Sequence, residues 1–420
     1  MRIAALGLLI VLATGGGAAA QTQAWVQYVQ GGAQARTMTP AATCPEVVVD
    51  GHALPMQLRA GPAPGFDDRL CQLDLPAGAR TARLEGRPLP LPVRPPRRIL
   101  IFGDTGCRLK DGDYQACNDP RAWPFAAVAR LAAAQHPDLV IHVGDYYYRE
   151  SPCPAADKGC AGTPSGDNRA SWKADFFDPA APLLAAAPWV FVRGNHEGCG
   201  RGAGGWFRML DAAPRPLSCP AHSAALTVDL GGLNLYVLDS SGAPDALAPA
   251  LNVADMAAQL DALKMDLARK PGWILTHRPI WGLTPVARLG PVGPIEVPIN
   301  RTQQVAVENR DLSAVQMVVS GHIHHFDSLS FGNARPAQLI VGTGGDVGEW
   351  ADTPRVRDTT ASIDGLEAKR LSFERYGYFL LDRDGDDWVG VFRDLDNRLV
   401  ANCRLHLRAL ICWGARPGTP

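Results

Sequence analysis

Two textures of apolar and polar positions divide the chain. From residue 21 to about 95 the apolar residues come in short alternating runs, such as Glu46-Val47-Val48-Val49 and Cys71-Gln72-Leu73-Asp74-Leu75. Turn residues separate these runs and no helical period develops, which predicts a small β-rich module. A stretch rich in proline follows, Arg87-Pro88-Leu89-Pro90-Leu91-Pro92 and then Pro95-Pro96. Proline stiffens an extended chain and cannot donate in a ladder, so this stretch reads as a linker with a domain boundary near residue 95. Beyond it the pattern changes. Ile99–Phe102, Leu139–Val143, Trp189–Val192, Trp273–Leu275 and Met317–Val319 are short, fully apolar runs of strand character. Between them, Phe125 to Gln135 and Met256 to Leu267 carry apolar residues at helical spacing. Continuous apolar strands alternating with amphipathic helices predict an α/β domain whose sheets are covered on both faces.

The first twenty residues have a different design. Arg2 precedes an apolar stretch from Ile3 to Ala13, and Ala18-Ala19-Ala20 follows a run of glycines. The stretch is too short to span a bilayer, which takes roughly 20 helical residues. A basic start, a short apolar stretch and small residues before Gln21 predict a cleaved signal peptide. The expected organisation is a signal peptide over 1–20, a β-rich module and linker over 21–95, a catalytic domain over 96–398 and a disulfide-bearing tail over 399–420. The mature chain is expected to be exported, to the periplasm or the medium, with no membrane attachment.

The cysteines point the same way. Ten are present: Cys44, Cys71, Cys107, Cys117, Cys153, Cys160, Cys199, Cys219, Cys403 and Cys412. An even number in an exported chain suggests disulfides, and none stands in a CxxC spacing. Pairing in sequence order is the economical reading, because every loop is then short. Charge adds one exclusion. With 41 Lys+Arg against 42 Asp+Glu the formal net charge is −1, so bulk electrostatics gives no case for a nucleic-acid partner. No oligomeric state is read from the chain.

The chemistry sits where the five apolar runs end. They lead into Gly103-Asp104-Thr105-Gly106, Gly144-Asp145-Tyr146-Tyr147-Tyr148, Gly194-Asn195-His196-Glu197, Thr276-His277 and Gly321-His322-Ile323-His324-His325. In α/β sheets, ligands bind beyond the carboxyl ends of the strands, so these ends can converge. Asp104, Asp145, Asn195, His277, His322, His324 and Tyr148 then offer hard oxygens mixed with imidazoles, a set suited to Fe, Zn or Mn. Seven donors exceed what one catalytic ion with open positions takes. They suit two ions sharing a carboxylate. The glycines before the ligands are expected to allow sharp turns.

The ordered set GDTG, GDYYY, GNHE, LTH and GHIH resembles the calcineurin-like metallophosphoesterases, and more narrowly their purple acid phosphatase branch. The narrower resemblance rests on an exchange. Gly106 stands where most of the superfamily has a metal-binding His, and Tyr148 stands where the purple enzymes place a phenolate ligand to ferric iron. The resemblance spans about residues 97 to 395. It implies a four-layer α/β/β/α sandwich. It implies a first metal on Asp104, Asp145, Tyr148 and His324, and a second on Asp145, Asn195, His277 and His322, with Asp145 bridging. The metals implied are Fe(III) with Fe(II), Zn(II) or Mn(II). His196 would face the substrate and protonate the leaving oxygen, Glu197 would orient His196, and Arg278 would offset phosphate charge. His325 is expected to be supporting or structural. After His277 the chain reads Arg278-Pro279-Ile280-Trp281, without the additional histidines of the plant and mammalian enzymes.

The implied activity is hydrolysis of a small phosphoester, a monoester, by a metal-activated hydroxide attacking in line. A phosphodiesterase or nucleotidase on the same scaffold is the alternative, and a non-catalytic binding protein the remote one. Other signals read plainly. His142 lies inside a strand and is expected to be a hydrogen-bonded core residue. Asp382-Arg383-Asp384-Gly385-Asp386 lacks EF-hand spacing and reads as a hairpin turn.

Overall fold

The computed structural model describes residues 23–110, 112–216, 218–288, 294–348 and 355–415. The signal peptide expected over 1–20 lies outside the described residues. Two sheets carry the fold among those residues, one of eleven strands and one of eight. In the first, Arg98–Phe102, Leu139–His142 and Trp189–Phe191 are parallel neighbours. In the second, Gly272–Leu275 and Val315–Ser320 are parallel neighbours. The five strands that end in the candidate ligands are therefore split three and two between the two sheets.

The side-chain period explains the layering. Trp273 and Leu275, with Met317 and Val319, point into the core shared with the first sheet. The intervening Ile274 and Val318 point the other way, onto Met256, Leu260, Leu267 and Ala306 from the outer helices. On the first sheet, the helix Phe125–Ala133 buries Phe125, Val128, Ala129 and Ala132, the expected apolar stripe. The result is the α/β/β/α sandwich. The single helix expected over 256–267 is two, Ala250–Ala262 and Lys264–Arg269, because Leu263 leaves helical geometry at φ −106°, ψ 1°.

The N-terminal segment is β-rich, yet the boundary near residue 95 does not interrupt the first sheet. Gln23–Val29 pairs in parallel with Trp189–Phe191, and Gly32–Thr39, Arg69–Asp74 and Gln57–Ala60 continue the sheet outward. The other N-terminal strands, Glu46–Val49, His52–Pro55, Ala82–Leu84 and Arg87–Pro88, form a separate four-stranded sheet. Buried Arg36 donates to the carbonyls of Met209 (2.6 Å) and Asp211 (2.9 Å). Arg59 donates to those of Arg208 and Ala213. The segment thus supports the loop that follows His196. The C-terminal residues likewise extend the first sheet with two strands, Leu399–His406 and the edge strand Ala409–Gly414, with Cys403 opposite Cys412.

All five disulfides follow sequence order: Cys44–Cys71, Cys107–Cys117, Cys153–Cys160, Cys199–Cys219 and Cys403–Cys412. The acidic stretch at 382–386 ends one strand and makes the two-residue turn, Gly385-Asp386, of the hairpin Gly377–Asp384 with Asp387–Asp394. No described helix is long and apolar enough to cross a membrane.

Candidate metal centre

The strand ends converge between the two sheets. Tyr148 Oη donates to Asp145 Oδ2 at 2.9 Å, and lies 3.3 Å from Asp104 Oδ1 and 3.1 Å from His324 Nε2. His277 Nε2 is 3.1 Å from both Asp145 Oδ2 and Asn195 Oδ1. Asp145, His277 and His322 present ligand atoms within 4.8 Å of one another. The seven side chains are thus brought together, with Asp145 between the two groups. Asp104, Asp145, Tyr148 and His277 are buried, whereas Asn195 and His322 are only partly so.

The backbone explains how strands end in inward-facing donors. Asp104, Asp145 and His322 have φ of +57°, +58° and +72°, conformations uncommon for residues with a side chain. Among the glycines before the ligands, Gly144 alone has a positive φ, +102°. The expected reason for these glycines therefore holds only there. At Gly194 and Gly321 the reason is space: a Cβ would stand 2.0 Å from Asp145 Oδ1 and 2.2 Å from Asp104 Oδ2. Strain of this kind persists only where surrounding contacts fix it.

Two buried carboxylates supply those contacts. Glu197 accepts from the backbone N–H of Asp145 (3.0 Å), Tyr146 (2.9 Å), Tyr147 (3.1 Å) and Gly194 (3.0 Å). Asp175 accepts from the N–H of Tyr148 (2.8 Å) and Cys107 (3.0 Å), and pairs with buried Arg149. Every backbone donor from Asp145 to Tyr148 therefore ends on one of these carboxylates. Glu197 does not orient His196 as expected, because both its oxygens are taken by these turns. Glu150 and Arg201 hold His196 instead. Glu150 Oε1 accepts from His196 Nδ1 at 2.5 Å, and Arg201 Nη2 lies 2.7 Å from the same nitrogen. The imidazole packs on Tyr148, tilted by 34° with 3.7 Å between centroids, and its Nε2 lies 3.9 Å from Asp145 Oδ2.

The three adjacent tyrosines separate cleanly. Tyr146 donates to Val192 O and stacks on His142, and Tyr147 donates to Arg149 O and stacks on Trp172. Only Tyr148 of the three hydrogen-bonds to Asp104 and Asp145. A Cβ at Gly106 would stand 2.6 Å from the Tyr148 ring and 2.9 Å from Tyr146 O. The phenol therefore occupies the space a side chain at 106 would need.

Around this centre lie groups that sequence patterns did not single out. Asp346 pairs with Arg108, whose Nη2 is 3.3 Å from His324 Nδ1. Asp245 accepts from both His322 Nε2 (3.0 Å) and Arg278. Glu150 could have been found, two residues beyond Tyr148 in the same block. Asp245 stands in no motif. Arg278 is engaged with Asp245 and His322. His325 faces Asp327 at 3.6 Å, in a network with Arg370 and Glu296, as a structural residue would. His142 is fully buried and bonds Thr105 Oγ1 at 2.9 Å.

The electrostatics fit a site that gathers positive charge. Burial pushes the Asp104 carboxyl up. Burial, then the Asp145 and Asp104 charges, push the Tyr148 phenol well up. Burial would push His277 down, but the facing Asp145 and Asp104 outweigh it and raise it to about 9. His322 is lowered to about 3 by burial and the Arg278 charge, which keeps it a neutral imidazole. Two buried carboxylates, a phenol, an amide and three imidazoles form a donor set suited to Fe, Zn or Mn.

The calcineurin-like phosphoesterase family profile matches residues 97–326, and the chain belongs to that family. It is a phosphoric ester hydrolase of a dimetal-dependent family. Among solved structures, the purple acid phosphatase PPD1 from yellow lupin (Lupinus luteus) superposes with a TM-score of 0.55 at 14% identity, covering 93% of this chain and 74% of that one. PhoD superposes with a TM-score of 0.55 at 12% identity, covering 94% and 92%. At such identities the likeness shows the fold. No curated protein sequence matches the chain.

Proposed function

We propose that the protein is an exported, binuclear phosphomonoesterase of purple acid phosphatase type. In this reading Asp104, Asp145, Tyr148 and His324 hold the first ion, and Asp145, Asn195, His277 and His322 the second. The observation that carries it is the packing of Gly106 against Tyr148, which leaves room for a phenol donor and none for a side chain at 106. A phenolate beside two carboxylates is a hard anionic set favouring Fe(III). The amide and two imidazoles suit Fe(II), Zn(II) or Mn(II). The five disulfides support export.

Two cations held there would supply charge to clamp the phosphate and acidify a water. The chain's own groups do the rest. Arg108, Arg201 and Arg278 border the centre and favour approach of an anionic ester. Glu150 and Arg201 fix the imidazole of His196 beside Asp145, where its doubly protonated form can give the Nε2 proton to the leaving oxygen and keep the Nδ1–H on Glu150. Glu197 and Asp175 keep the Asp145–Tyr148 turn from shifting.

The test combines metal content, a visible spectrum, and hydrolysis of p-nitrophenyl phosphate and bis-p-nitrophenyl phosphate by the mature protein. Two ions, colour and preference for the monoester are expected. Preference for the diester would move the chain to the phosphodiesterase alternative. A metal-free, inactive protein would sink the reading.

A further inference from the structure

Asp245 lies outside the seven donors, 100 residues after Asp145, in a segment without a motif. We propose that Asp245 is a positioning residue for the second ion: its carboxylate takes the Nε2–H of His322 and so presents Nδ1 as the metal donor. This rests on the binuclear reading above.

Three observations carry it. First, Asp245 Oδ2 is 3.0 Å from His322 Nε2, a hydrogen-bond distance. An imidazole that binds a metal through one nitrogen carries its N–H on the other, so a carboxylate facing Nε2 favours the tautomer whose Nδ1 lone pair is free. Second, Arg278 also donates to Asp245 while its Nη1 lies 2.9 Å from His322 Nε2. In the proposed tautomer the Nε2–H and the Arg278 guanidinium both donate to the carboxylate, which is the one acceptor the two groups share. Arg278 balances its charge and keeps it from acting as a free ligand.

Third, Asp245 is held from several sides, unlike an ordinary surface carboxylate. Its carbonyl accepts from Arg301 N at 2.9 Å, and Asn300 Nδ2 reaches its Oδ1 at 3.3 Å. Asn300 is fully buried, has φ +67°, and caps the helix Arg301–Val307 by accepting from Gln303 N. Thr302 Oγ1 donates to Pro244 O at 3.0 Å, and Gln303 Nε2 to Arg278 O at 2.6 Å. One helix start thus locks both Asp245 and Arg278 against His322. The Asp245 side chain stays 34% exposed, so its role is not packing.

The test titrates Zn(II) into metal-free protein against a competing chelator. Wild type should take up two ions. Asp245→Ala should keep one and weaken the other by roughly ten- to hundredfold, the scale seen when partners of metal-bound histidines are removed. Asp245→Asn keeps an oxygen acceptor and should recover most of the affinity. Thermal melting of the metal-free variants should match wild type. Two unchanged affinities in Asp245→Ala would overturn this inference alone. So would a metal-free variant that melts early and loses both ions together, since that marks a general structural role. A wild-type chain that takes up no ion would overturn the binuclear reading and this inference with it.

Discussion

The two halves of the centre are built on opposite plans. Around Asp104 and Tyr148 the donors are buried carboxylate and phenol oxygens joined by the His324 imidazole, and Glu197 and Asp175 bind every backbone N–H from Asp145 to Tyr148. Around Asn195 and His322 the donors are an amide and imidazoles, of which Asn195 and His322 are partly exposed and His277 is buried, framed by Asp245 and Arg278. One half is part of the core and the other borders the opening. A rigid, anionic set matches a hard ion that stays. A less anionic set steadied by the partly exposed Asp245 suits a divalent ion that can exchange. Backbone strain is spread over both: of the three positive-φ donors, Asp104 stands in the rigid half, His322 in the other, and Asp145 is shared.

The largest effect should come from removing the residue the halves share. Asp145→Ala should abolish turnover, by at least roughly a thousandfold, because ions clamping the phosphate contribute several kcal/mol. Metal analysis of the purified variant should show both ions depleted. Retention of both with near-normal turnover would mean that Asp145 is not the bridge.

Next comes the scaffold of the rigid half. Glu197→Ala would leave four buried N–H donors without an acceptor, each worth about 1–3 kcal/mol when orphaned. Some relaxation and water entry is expected, so the net loss should be roughly 3–5 kcal/mol. Urea unfolding of the metal-free protein measures it. Asp245→Ala in the same assay should cost under about 1 kcal/mol, and equal losses would erase the contrast between the halves.

The disulfides sharpen the contrast further. Cys107–Cys117 starts beside the Asp104 turn, and Cys199–Cys219 leaves the His196 turn. Removing either pair should cost about 3 kcal/mol in the chain-entropy account. Cys107 N is also held by Asp175, which holds Tyr148. Cys107→Ser with Cys117→Ser should therefore release the first ion more readily on dialysis than Cys199→Ser with Cys219→Ser. Equal retention would mean that the Cys107 tether does not serve that half.

Much of this was legible in the sequence because each donor ends an apolar strand, and strand ends in such sheets share an edge. Period and motif together located Asp104, Asp145, Asn195, His277, His322 and His324. What stayed hidden depends on contacts between segments far apart in the chain. Glu197 reads as the partner of its neighbour His196, yet its oxygens reach back about fifty residues to the Asp145 turn. Glu150 takes that role from beyond the tyrosine run, and Asp245 meets His322 across 77 positions. The N-terminal strands hid for another reason. Their short alternation is the same whether they close a separate module or extend a neighbouring sheet, and pairing with Trp189–Phe191 decides it.

The smallest structural change tests the rigid half most directly. Tyr148→Phe removes one oxygen and keeps the ring that fills the space at Gly106. Its stability should therefore stay within about 1 kcal/mol of wild type, the net worth of a hydrogen bond. A Tyr-bound ferric ion absorbs visible light by charge transfer from the phenolate, so this variant should lose the band while keeping the fold. Tyr146→Phe and Tyr147→Phe each lose a bond to a carbonyl, Val192 O and Arg149 O, and should keep the band because neither hydroxyl bonds the two carboxylates. Spectra with iron quantified on the same samples decide the matter. Colour surviving in Tyr148→Phe, or an oxidised iron-loaded protein without colour, would leave the centre a general two-metal site. The contrast between a hard half and an exchangeable half would then have to rest on burial alone.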